Sequence, residues 1–404
     1  MMKKYIVLVA LIAILSLASS SDSHSREQTI SIDNTIHLEC APSYTPYSPI
    51  VISSNGDFII QGWDGTGSST NPFRIENLSI HQDTESGYCI NISNTNVYFK
   101  IQNCILSGNN AKAGIYLDGV INGIIDNNTV NTPSSDSLWS QSIALVDSDL
   151  NIISNNTCIF RGHGVDLLRS DSNIIFNNTC NGGSDGIWLD ESSSNIIANN
   201  TSGGHTQGAV MVSGGSANII ANNSLWDSQR GINLGASPSN TVVNNTMVNC
   251  GYMVPWSQVF QTEVYGNTVN GLPMRYHQSD SGFAIDEPSG QVVLVDCSNF
   301  VVEDLEIGAA TIGVEILECQ DGIIRNITSA DQPWYGIEIQ DSRNISVIDC
   351  RMYDCGTGLS FHGDLAEGEG SHLAENCTID RVYTGISIWD NNCKVSWNTF
   401  LLTY

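Results

Sequence analysis

The sequence is poor in basic residues. Lysines and arginines number 15 among its 404 residues, against 42 aspartates and glutamates, and the formal net charge is −27. A surface of this sign repels the phosphates of nucleic acids and of anionic membranes, so we expect no nucleic-acid partner. The shortage also argues against a pectate lyase, because that chemistry needs clustered Arg and Lys. The acidity itself is compatible with neutral sugars, with divalent cations or with solubility alone.

Long apolar runs are also scarce. The apolar run at residues 5–18 follows Lys3 and Lys4 and precedes small polar residues, which is the pattern of a signal peptide. It is shorter than the roughly 20 residues that a membrane-spanning helix needs. We therefore predict a signal peptide at residues 1–22 and no membrane span in the mature chain. The protein should be secreted or at the cell surface, or periplasmic in a host with an outer membrane.

Clustered metal ligands are missing as well. The eight histidines are scattered singly, with no HxH or HxxxH pair, so we predict no metal site and no cofactor. The 12 cysteines could be oxidised in an exported protein, but a chain of this length can bury a core without disulfides. Cys158 and Cys180 occupy equivalent positions of adjacent repeats, where a disulfide fits, although parallel side-chain directions favour a stack of buried thiols.

Helical periodicity is replaced by a repeat of about 22 residues. The motif NxIxxNN(T/S), with Val replacing Ile in its last copy, begins at Asn151, Asn173, Asn195, Asn218 and Asn240. Thirteen residues into the copies, a glycine opens a short apolar run, at Gly164, Gly186, Gly208 and Gly231. Both runs are bounded by Asn, Gly, Ser and Asp, which is typical of brief strands joined by turns.

The Gly-led run alternates strictly between apolar and polar residues, as a strand with one buried face does. One apolar column is Ile115, Ile143, Val165, Ile187, Ala209 and Ile232. A second column, two residues later, is Leu117, Leu145, Leu167, Leu189, Met211 and Leu234. One repeat cannot hide its apolar face alone, so the repeats must stack as a parallel solenoid. We predict an all-β chain of about 14 turns that forms a rod of roughly 65 Å.

The repeat also divides the chain. After the signal peptide, we predict the N-terminal half of the solenoid at residues 23–250 and the C-terminal half at residues 291–404, with truncation at its end left open. Between them, residues 251–290 break the rhythm and contain Pro255, Pro273 and Pro288. We interpret this interval as a loop-rich interruption on the stack, and a true domain boundary is the alternative.

These repeats resemble a known family. The units NxIxxNN(T/S) followed by GIxL, together with NTVNGLPMRY at residues 267–276 and GQVVLVDC at residues 290–297, are similar to NosD-like proteins, also called carbohydrate-binding and sugar-hydrolase repeats. The resemblance covers nearly all of the mature chain and implies a right-handed, single-stranded parallel β-helix. It does not imply one function, because the family includes a copper-site maturation factor, S-layer-like surface proteins and polysaccharide-active enzymes. No copper-ligand motif can be transferred.

Paired asparagines are the most frequent polar feature. The first Asn of each pair begins an N-x-(T/S) sequon, at Asn127, Asn155, Asn177, Asn199, Asn222 and Asn244. We interpret one Asn of each pair as part of a hydrogen-bonded ladder through the stack, and leave open which one points inward. The alternative is N-glycosylation, for which the sequons outside this register are better candidates: Asn77, Asn91, Asn326, Asn344 and Asn376.

Outward-facing positions of the Gly-led strand could bind a ligand. They are Tyr116, Asp166, Trp188 and Asn233, followed two residues later by Asp118 and Asp190. Large aromatic side chains on an exposed sheet suit stacking against a sugar ring, and acidic neighbours can bind hydroxyl groups. We expect Asp185 to add a carboxylate beside this face, and Glu315 and Glu338 to extend it. The alternative is that a loop covers Trp188.

The same face could also form the active site of a hydrolase. Asp166 and Asp190 should have Cα atoms about 8 Å apart, which suits the carboxyl pair of an inverting glycosidase. The column that precedes the glycines contains Gln141, His163, Asp185, Gln207 and Arg230. The string around His163, GHG, resembles a polygalacturonase motif, but the Asp pair and the Arg-x-Lys that accompany that motif are missing.

The sequence therefore predicts an extracellular β-helix that binds a polysaccharide, another glycan or a cell-surface protein without chemistry. The leading alternative is a polysaccharide hydrolase with Asp166, Asp190 and His163 as catalytic residues. A further alternative is a periplasmic accessory protein in metal-site maturation, as the resemblance implies.

Overall fold

The computed structural model describes residues 44–84, 87–108, 112–132, 140–254, 262–363, 371–390 and 392–401. This part of the chain is a right-handed parallel β-helix of about 13 turns with almost no helix, which confirms the predicted fold. The predicted signal peptide and Pro255 lie outside the described residues. Within them, no helix is both long enough and apolar enough to span a membrane.

Three strands make each turn of the first half, which comprises the described residues up to Val269. The first is the Gly-led strand, the second contains the start of the asparagine motif, and the third follows the Asn pair. The Gly-led sheet consists of Ile50–Ile52, Tyr88–Thr95, Ala113–Val120, Gln141–Val146, His163–Leu168, Asp185–Asp190, Gly208–Ser213, Arg230–Gly235 and Tyr252–Met253. The Asn-led sheet consists of Phe73–Glu76, Phe99–Gln102, Gly123–Asp126, Ile152–Ser154, Ile174–Phe176, Ile196–Ala198, Ile219–Ala221, Thr241–Val243 and Glu263–Tyr265. The third sheet consists of Thr45–Tyr47, Leu78–His81, Ile105–Ser107, Thr129–Thr132, Thr157–Phe160, Thr179–Asn181, Thr201–Gly203, Ser224–Trp226, Thr246–Val248 and Thr268–Val269.

A short helix, Asn55–Ile60, lies at the N-terminal end of the first half. Ser54 and Asp57 form a capping box at its start, which satisfies backbone N–H groups of the first turn. The helix buries Phe58, whose ring stacks on Phe73 at 4.8 Å and on Phe99 at 5.6 Å between centroids. This contact covers the apolar interior where the stack begins.

Parallel pairing between turns confirms most of the predicted columns but corrects one turn, at Ala209 and Met211. Ile187 pairs with Val210, not with Ala209, and Met211 lies on the outer face beside Trp188. The corner between Gly203 and Gly208 contains one residue more than the corner of the preceding turn, so Gly208 pairs with Asp185. A slip of one residue moves a side chain to the other face of a strand.

The second Asn of each pair points inward and forms the predicted ladder. Its members are Asn128, Asn156, Asn178, Asn200, Asn223 and Asn245, and it ends at Asn267, which follows Gly266; the members are joined through their side-chain amides. Asn178, for example, donates from its backbone N and its Nδ2 to Oδ1 of Asn200, at 2.9 and 3.0 Å. The first Asn of each pair has a left-handed backbone, with φ of 55° at Asn199. The sequon asparagines of these pairs therefore lie at the outer side of the corner, and their glycosylation stays a prediction.

Buried thiols stack in the same way. Cys158 and Cys180 pair in register on adjacent strands of the third sheet, and both are free and buried. Contact with Cys158 and burial raise the pKa of the Cys180 thiol. The stack favoured on grounds of side-chain direction is present, and no disulfide joins the two.

The second half, from Leu272 onward, has its own three sheets. Its Gly-led sheet consists of Leu272–Gln278, Gln291–Val295, Ile312–Leu317, Tyr335–Gln340, Thr357–His362 and Thr384–Trp389. Its other sheets consist of Ser281–Ile285, Ser298–Glu303, Gln320–Arg325, Arg343–Ile348, Leu373–Glu375 and Lys394–Ser396, and of Glu306–Gly308, Thr328–Ala330, Arg351–Tyr353, Thr378–Asp380 and Thr399–Phe400.

The chain reverses direction where the halves meet. Val269 pairs antiparallel with Leu272, so the third sheet of the first half continues into the second Gly-led sheet. The interval 251–290, expected to be a loop-rich interruption, thus contains strands on both sides of a tight turn. Proline is compatible with this position because Pro273 lies at the start of a strand that reverses the sheet.

The second Gly-led sheet covers the end of the first half. Val293 and Val295 belong to the apolar core of the first half, whereas Val292 and Leu294 belong to that of the second. The sheet therefore has one face on each core, and the halves do not form one straight rod. Relative to the third sheet of the first half, the strands of the second half run in the opposite direction and carry their core on the opposite face. Because both are reversed together, the two halves have the same handedness.

Side chains from this sheet also form hydrogen bonds with backbone groups at the last strand of the first Gly-led sheet. Gln291 accepts a hydrogen bond from the Tyr252 backbone N at 2.9 Å and donates to its carbonyl at 2.6 Å. Thr311 bonds both backbone groups of Gly251, and Glu315 accepts from Val254 N at 3.1 Å. These contacts close an edge that would otherwise leave backbone groups unpaired.

Candidate functional site

The predicted ligand positions lie on the outer face of the first Gly-led sheet. One column runs through Tyr116, Ala144, Asp166, Trp188, Met211 and Asn233 on successive turns. A second column, two residues later, runs through Asp118, Val146, Leu168, Asp190 and Ser213. At about 4.8 Å per turn, Tyr116 and Trp188 are about 14 Å apart along the sheet. We call this surface the outer strip.

His163 is at the centre of the densest part of the outer strip. Its ring stacks on the indole of Trp188, with centroids 4.9 Å apart and planes at 4°. Its Nδ1 lies 3.2 Å from Oδ2 of Asp166, and its Nε2 lies 3.6 Å from Oδ2 of Asp185. Gln141 donates from Nε2 to the same Asp166 oxygen at 3.1 Å. The structure thus brings four of the predicted site residues into one contact network.

Asp185 is the buried member of this network. Its side chain has no exposed area, and it accepts hydrogen bonds from the Ser184 hydroxyl at 2.8 Å and from the Gly208 backbone N at 3.0 Å. Burial raises the pKa of Asp185, while the hydrogen bonds and the nearby Arg230 oppose that rise. Asp166 keeps 17% of its side chain exposed, so it is the carboxylate of the network that a ligand can reach.

Arg230 connects the outer strip to the second half. It follows Asp185 and Gly208 in the same column, and its guanidinium lies 4.5 Å from the ring centroid of Trp334. Burial lowers the pKa of Arg230, and the charge of Asp185 opposes that shift. The repeat placed Arg230 in this column, but Trp334 is brought here by the reversal between the halves, which no local pattern encodes.

A second aromatic pair lies at the other end of the outer strip. Tyr116 stacks on Tyr88, with ring centroids 4.6 Å apart, and the Lys112 ammonium lies 5.9 Å from the Tyr88 centroid. Burial and the charge of Asp118 raise the pKa of Tyr116. Asn91 pairs with Tyr116 in the same column, and its buried Oδ1 has no hydrogen-bond partner within the described residues. Tyr88 was not among the predicted ligand residues.

Besides Tyr116, Asp118 and Asn233, three predicted residues lie outside the network. Asp190 is half-exposed in the second column, beside Leu168 rather than beside His163. Glu315 and Glu338 do not extend the outer strip, because they are only 1% and 3% exposed and lie on the second Gly-led sheet. Their strands carry the same Gly-led pattern, but the reversed sheet turns this face toward the end of the first half.

No group of three or more His, Cys, Asp or Glu side chains within the described residues could hold a metal ion. The cluster of His163, Asp166 and Asp185 has its imidazole nitrogens facing carboxylates, with the Asp185 carboxylate fully buried. These residues therefore do not fit a copper site.

Two family models match consecutive parts of the chain. Residues 136–284 match the model described as periplasmic copper-binding protein (NosD), and residues 281–401 match the model described as right-handed beta helix region. The two matches meet within the strand Ser281–Ile285, shortly after the chain reverses direction. None of the curated proteins compared with the chain has a significantly similar sequence.

Several solved structures are similar to the chain, at low sequence identity and with low TM-scores. The catalytic domain of a GH87 α-1,3-glucanase in complex with nigerose is 14% identical, with a TM-score of 0.37, over 88% of this chain and 64% of the glucanase chain. The tailspike protein of a Pseudomonas phage is 11% identical, with a TM-score of 0.38, over 77% of this chain and 50% of the tailspike. A mannuronan C-5 epimerase A-module from Azotobacter vinelandii is 11% identical, with a TM-score of 0.27, over 87% of this chain and 100% of the module.

The chain spans less than two thirds of the glucanase domain that it matches. Similarities of this strength carry no argument about fold or activity. The repeat, the inward asparagine ladder, the three strands per turn and the two family matches agree with one another. The two family matches, which together cover residues 136–401, support the predicted similarity to NosD-like right-handed parallel β-helix proteins.

Proposed function

We propose that the outer strip binds a polysaccharide chain without cleaving it. The observation that carries the proposal is the stack of His163 on Trp188, which presents a partly exposed indole beside the reachable carboxylate of Asp166. An aromatic face next to hydrogen-bond acceptors suits a sugar, whose ring has an apolar face and an edge of hydroxyl groups. Because the imidazole packs parallel to the indole, the ring is held in place before the ligand arrives, which lowers the entropic cost of binding.

The arrangement along the sheet supports an elongated ligand. Tyr116 and Trp188 lie in one column, and the half-exposed Asp118 and Asp190 flank it. Successive turns repeat every 4.8 Å or so, a distance comparable to the advance of an oligosaccharide per sugar residue. The net charge of −27 disfavours a polyanionic glycan, so the proposed ligand is neutral. A sugar on a cell-surface glycoprotein would meet the same groups.

A polysaccharide hydrolase is the second candidate. The observation that favours it is that His163 contacts the carboxyl groups of both Asp166 and Asp185, and burial raises the pKa of Asp185, since a glycosidase needs two carboxyl groups that differ in pKa. Two features argue against it. Asp185 is wholly buried, and the Asp166 oxygen that faces His163 also accepts a hydrogen bond from Gln141. We therefore place binding ahead of hydrolysis.

The proposed location is outside the cytoplasm, as the apolar run at residues 5–18 after Lys3 and Lys4 suggests. A role in copper-site maturation, which the name of the matching family model would suggest, finds no ligand set among the described side chains. We do not propose it.

A glycan array with product analysis tests the proposal. We expect the purified chain to retain neutral glycans without releasing reducing ends. Release of reducing ends that disappears in Asp166→Asn would favour the hydrolase instead. Failure to bind any glycan, neutral or acidic, would remove the carbohydrate proposal.

A further inference from the structure

A cavity of about 280 Å³ lies on the same face of the second Gly-led sheet as Glu315, on the turns that follow it away from the first half. It crosses three successive turns, formed by Tyr335–Gln340, Thr357–His362 and Thr384–Trp389. Its lining consists of Tyr335, Glu338, Ser360, His362, Ser387 and Trp389. The volume is close to the lower limit of about 300 Å³ for small-molecule pockets, so an occupant must be small.

Two buried polar side chains reach this cavity without a partner. Glu338 and Ser360 are cross-strand neighbours, and each is only 3% exposed. No described residue forms a hydrogen bond with either side chain, and neither side chain contributes an oxygen to the fully buried unpaired polar atoms of the described residues. Because both line the cavity, their hydrogen bonds are available to a molecule that enters it.

An exposed indole stands at the edge of the cavity. Trp389 is 63% exposed, and its Nε1 donates to the Ser387 hydroxyl at 2.9 Å, which fixes the direction of the ring. A large aromatic side chain in this position leaves one face open for stacking. The cavity thus combines unpaired hydrogen-bonding groups at its base with an apolar surface at its mouth.

The charges around the cavity select the class of ligand. Glu338 is cross-strand from the buried Glu315, whose carboxylate already accepts from Val254 N. Burial raises the pKa of Glu338 to about 7, so near neutrality a large fraction of this group is a neutral acid that can donate as well as accept. The pair of carboxyl groups disfavours an anionic sugar, and stacking on Trp389 favours a ring over a free metal ion.

We propose that this cavity is a second carbohydrate site, which takes one neutral pyranose unit. Glu338 and Ser360 hydrogen-bond hydroxyl groups of the sugar, and Trp389 stacks on its ring. The inference shares with the proposed function only the class of ligand. It concerns different residues on a different sheet, so each site can fail without the other.

The test uses neutral gluco-, manno- and galacto-oligosaccharides, titrated by calorimetry into the whole chain and its variants. In the Trp188→Ala background, which weakens the outer strip, we expect binding to remain and to fall at least tenfold when Trp389→Ala is added. Glu338→Ala should have a similar effect, whereas Glu338→Gln, which keeps a donor and an acceptor, should stay within about threefold of the parent. Trp397→Asn, which removes an indole that is 82% exposed and outside the cavity, is the matched control.

The outcomes separate the two proposals. If Trp188→Ala alone abolishes all binding and Trp389→Ala changes nothing, the cavity proposal is wrong and the outer strip stands. If Trp389→Ala alone abolishes binding, the cavity stands and the outer strip fails. Binding of Ca²⁺ or of an anionic oligosaccharide by the cavity, with no response to any neutral sugar, would also overturn the proposal. Melting temperatures within a few degrees of the parent show that the variants are folded.

Discussion

The asparagine ladder allows a stability prediction with a built-in control. Asn200 sits in the middle of the ladder, where its Oδ1 accepts from the backbone N and from Nδ2 of Asn178 at 2.9 and 3.0 Å. Its Nδ2 donates to the Ile175 carbonyl at 3.0 Å and to Asn223 Oδ1 at 3.1 Å. All four contacts are buried. We therefore expect Asn200→Ala to be among the most destabilising single substitutions of a polar residue.

The magnitude follows from the groups left unpaired. Removing the Asn200 amide leaves the backbone N of Asn178 without its partner and weakens the pairing of the Ile175 carbonyl. Each buried group that loses its hydrogen bond costs about 1–3 kcal/mol, so the total is about 2–6 kcal/mol. A domain is typically stable by about 5–15 kcal/mol. The substitution should remove a large share of that stability.

The adjacent Asn199 supplies the control. It is exposed, and its φ of 55° lies in the left-handed region that glycine adopts freely, so Asn199→Gly should change stability by less than about 1 kcal/mol. Urea unfolding followed by far-ultraviolet circular dichroism measures both variants. Hydrogen exchange at Asn178 should also accelerate in Asn200→Ala alone. Equal losses in the two variants would show that the ladder does not stabilise the stack as described.

Three further predictions test the core, the junction between the halves and the titration of Glu338. Leu167→Asp should cost several kcal/mol because it buries an unpaired carboxylate, whereas the half-exposed Leu168→Asp should be tolerated, and equal melting temperatures would contradict the register. Gln291→Ala removes both hydrogen bonds to Tyr252 and should cost about 2–4 kcal/mol in urea unfolding; no change would mean that the strand edge is satisfied otherwise. Glu338 has a pKa raised from 4.5 to about 7 in the fold, so the stability due to its neutral form is complete below pH 4.5 and is lost as the pH rises through about 7. Glu338→Gln should therefore be more stable than the parent at pH 8, by up to about 3 kcal/mol, and equal melting curves across this range would refute the shift.

The repeating part of the fold could be predicted because every turn has the same alternating pattern and the same apolar face to bury. The alternation at Val165 and Leu167 is set within one strand, and stacking follows from the need to bury it. The sequence did not show which Asn of each pair points inward. The corner interrupts the alternation of inward and outward side chains, and the two adjacent asparagines do not reveal which of them adopts the left-handed backbone found at Asn199. The slip at Gly208 was detectable, since the interval from Asn195 to Asn218 is one residue longer than the preceding one.

The reversal between the halves could not be predicted from the pattern. A strand shows the same apolar alternation whichever way it runs, and the turn between Val269 and Leu272 resembles any other corner. The position of Glu315 depends on this reversal, which places its carboxylate against Val254 instead of in solvent. Contacts within one sheet, such as His163 beside Asp185, followed from the register, whereas contacts between halves did not.

The central claim is that Trp188 forms part of a ligand-binding face and does not serve mainly to stabilise the fold. Calorimetric titration of a neutral oligosaccharide selected on the array, with thermal unfolding of the same samples, tests it most directly. Trp188→Ala should weaken binding by roughly 1–3 kcal/mol with little change in melting temperature. Trp226→Ala, which removes an indole from the third sheet, should leave affinity unchanged. Unchanged affinity in Trp188→Ala, or a large loss of stability without a specific loss of binding, would contradict the account.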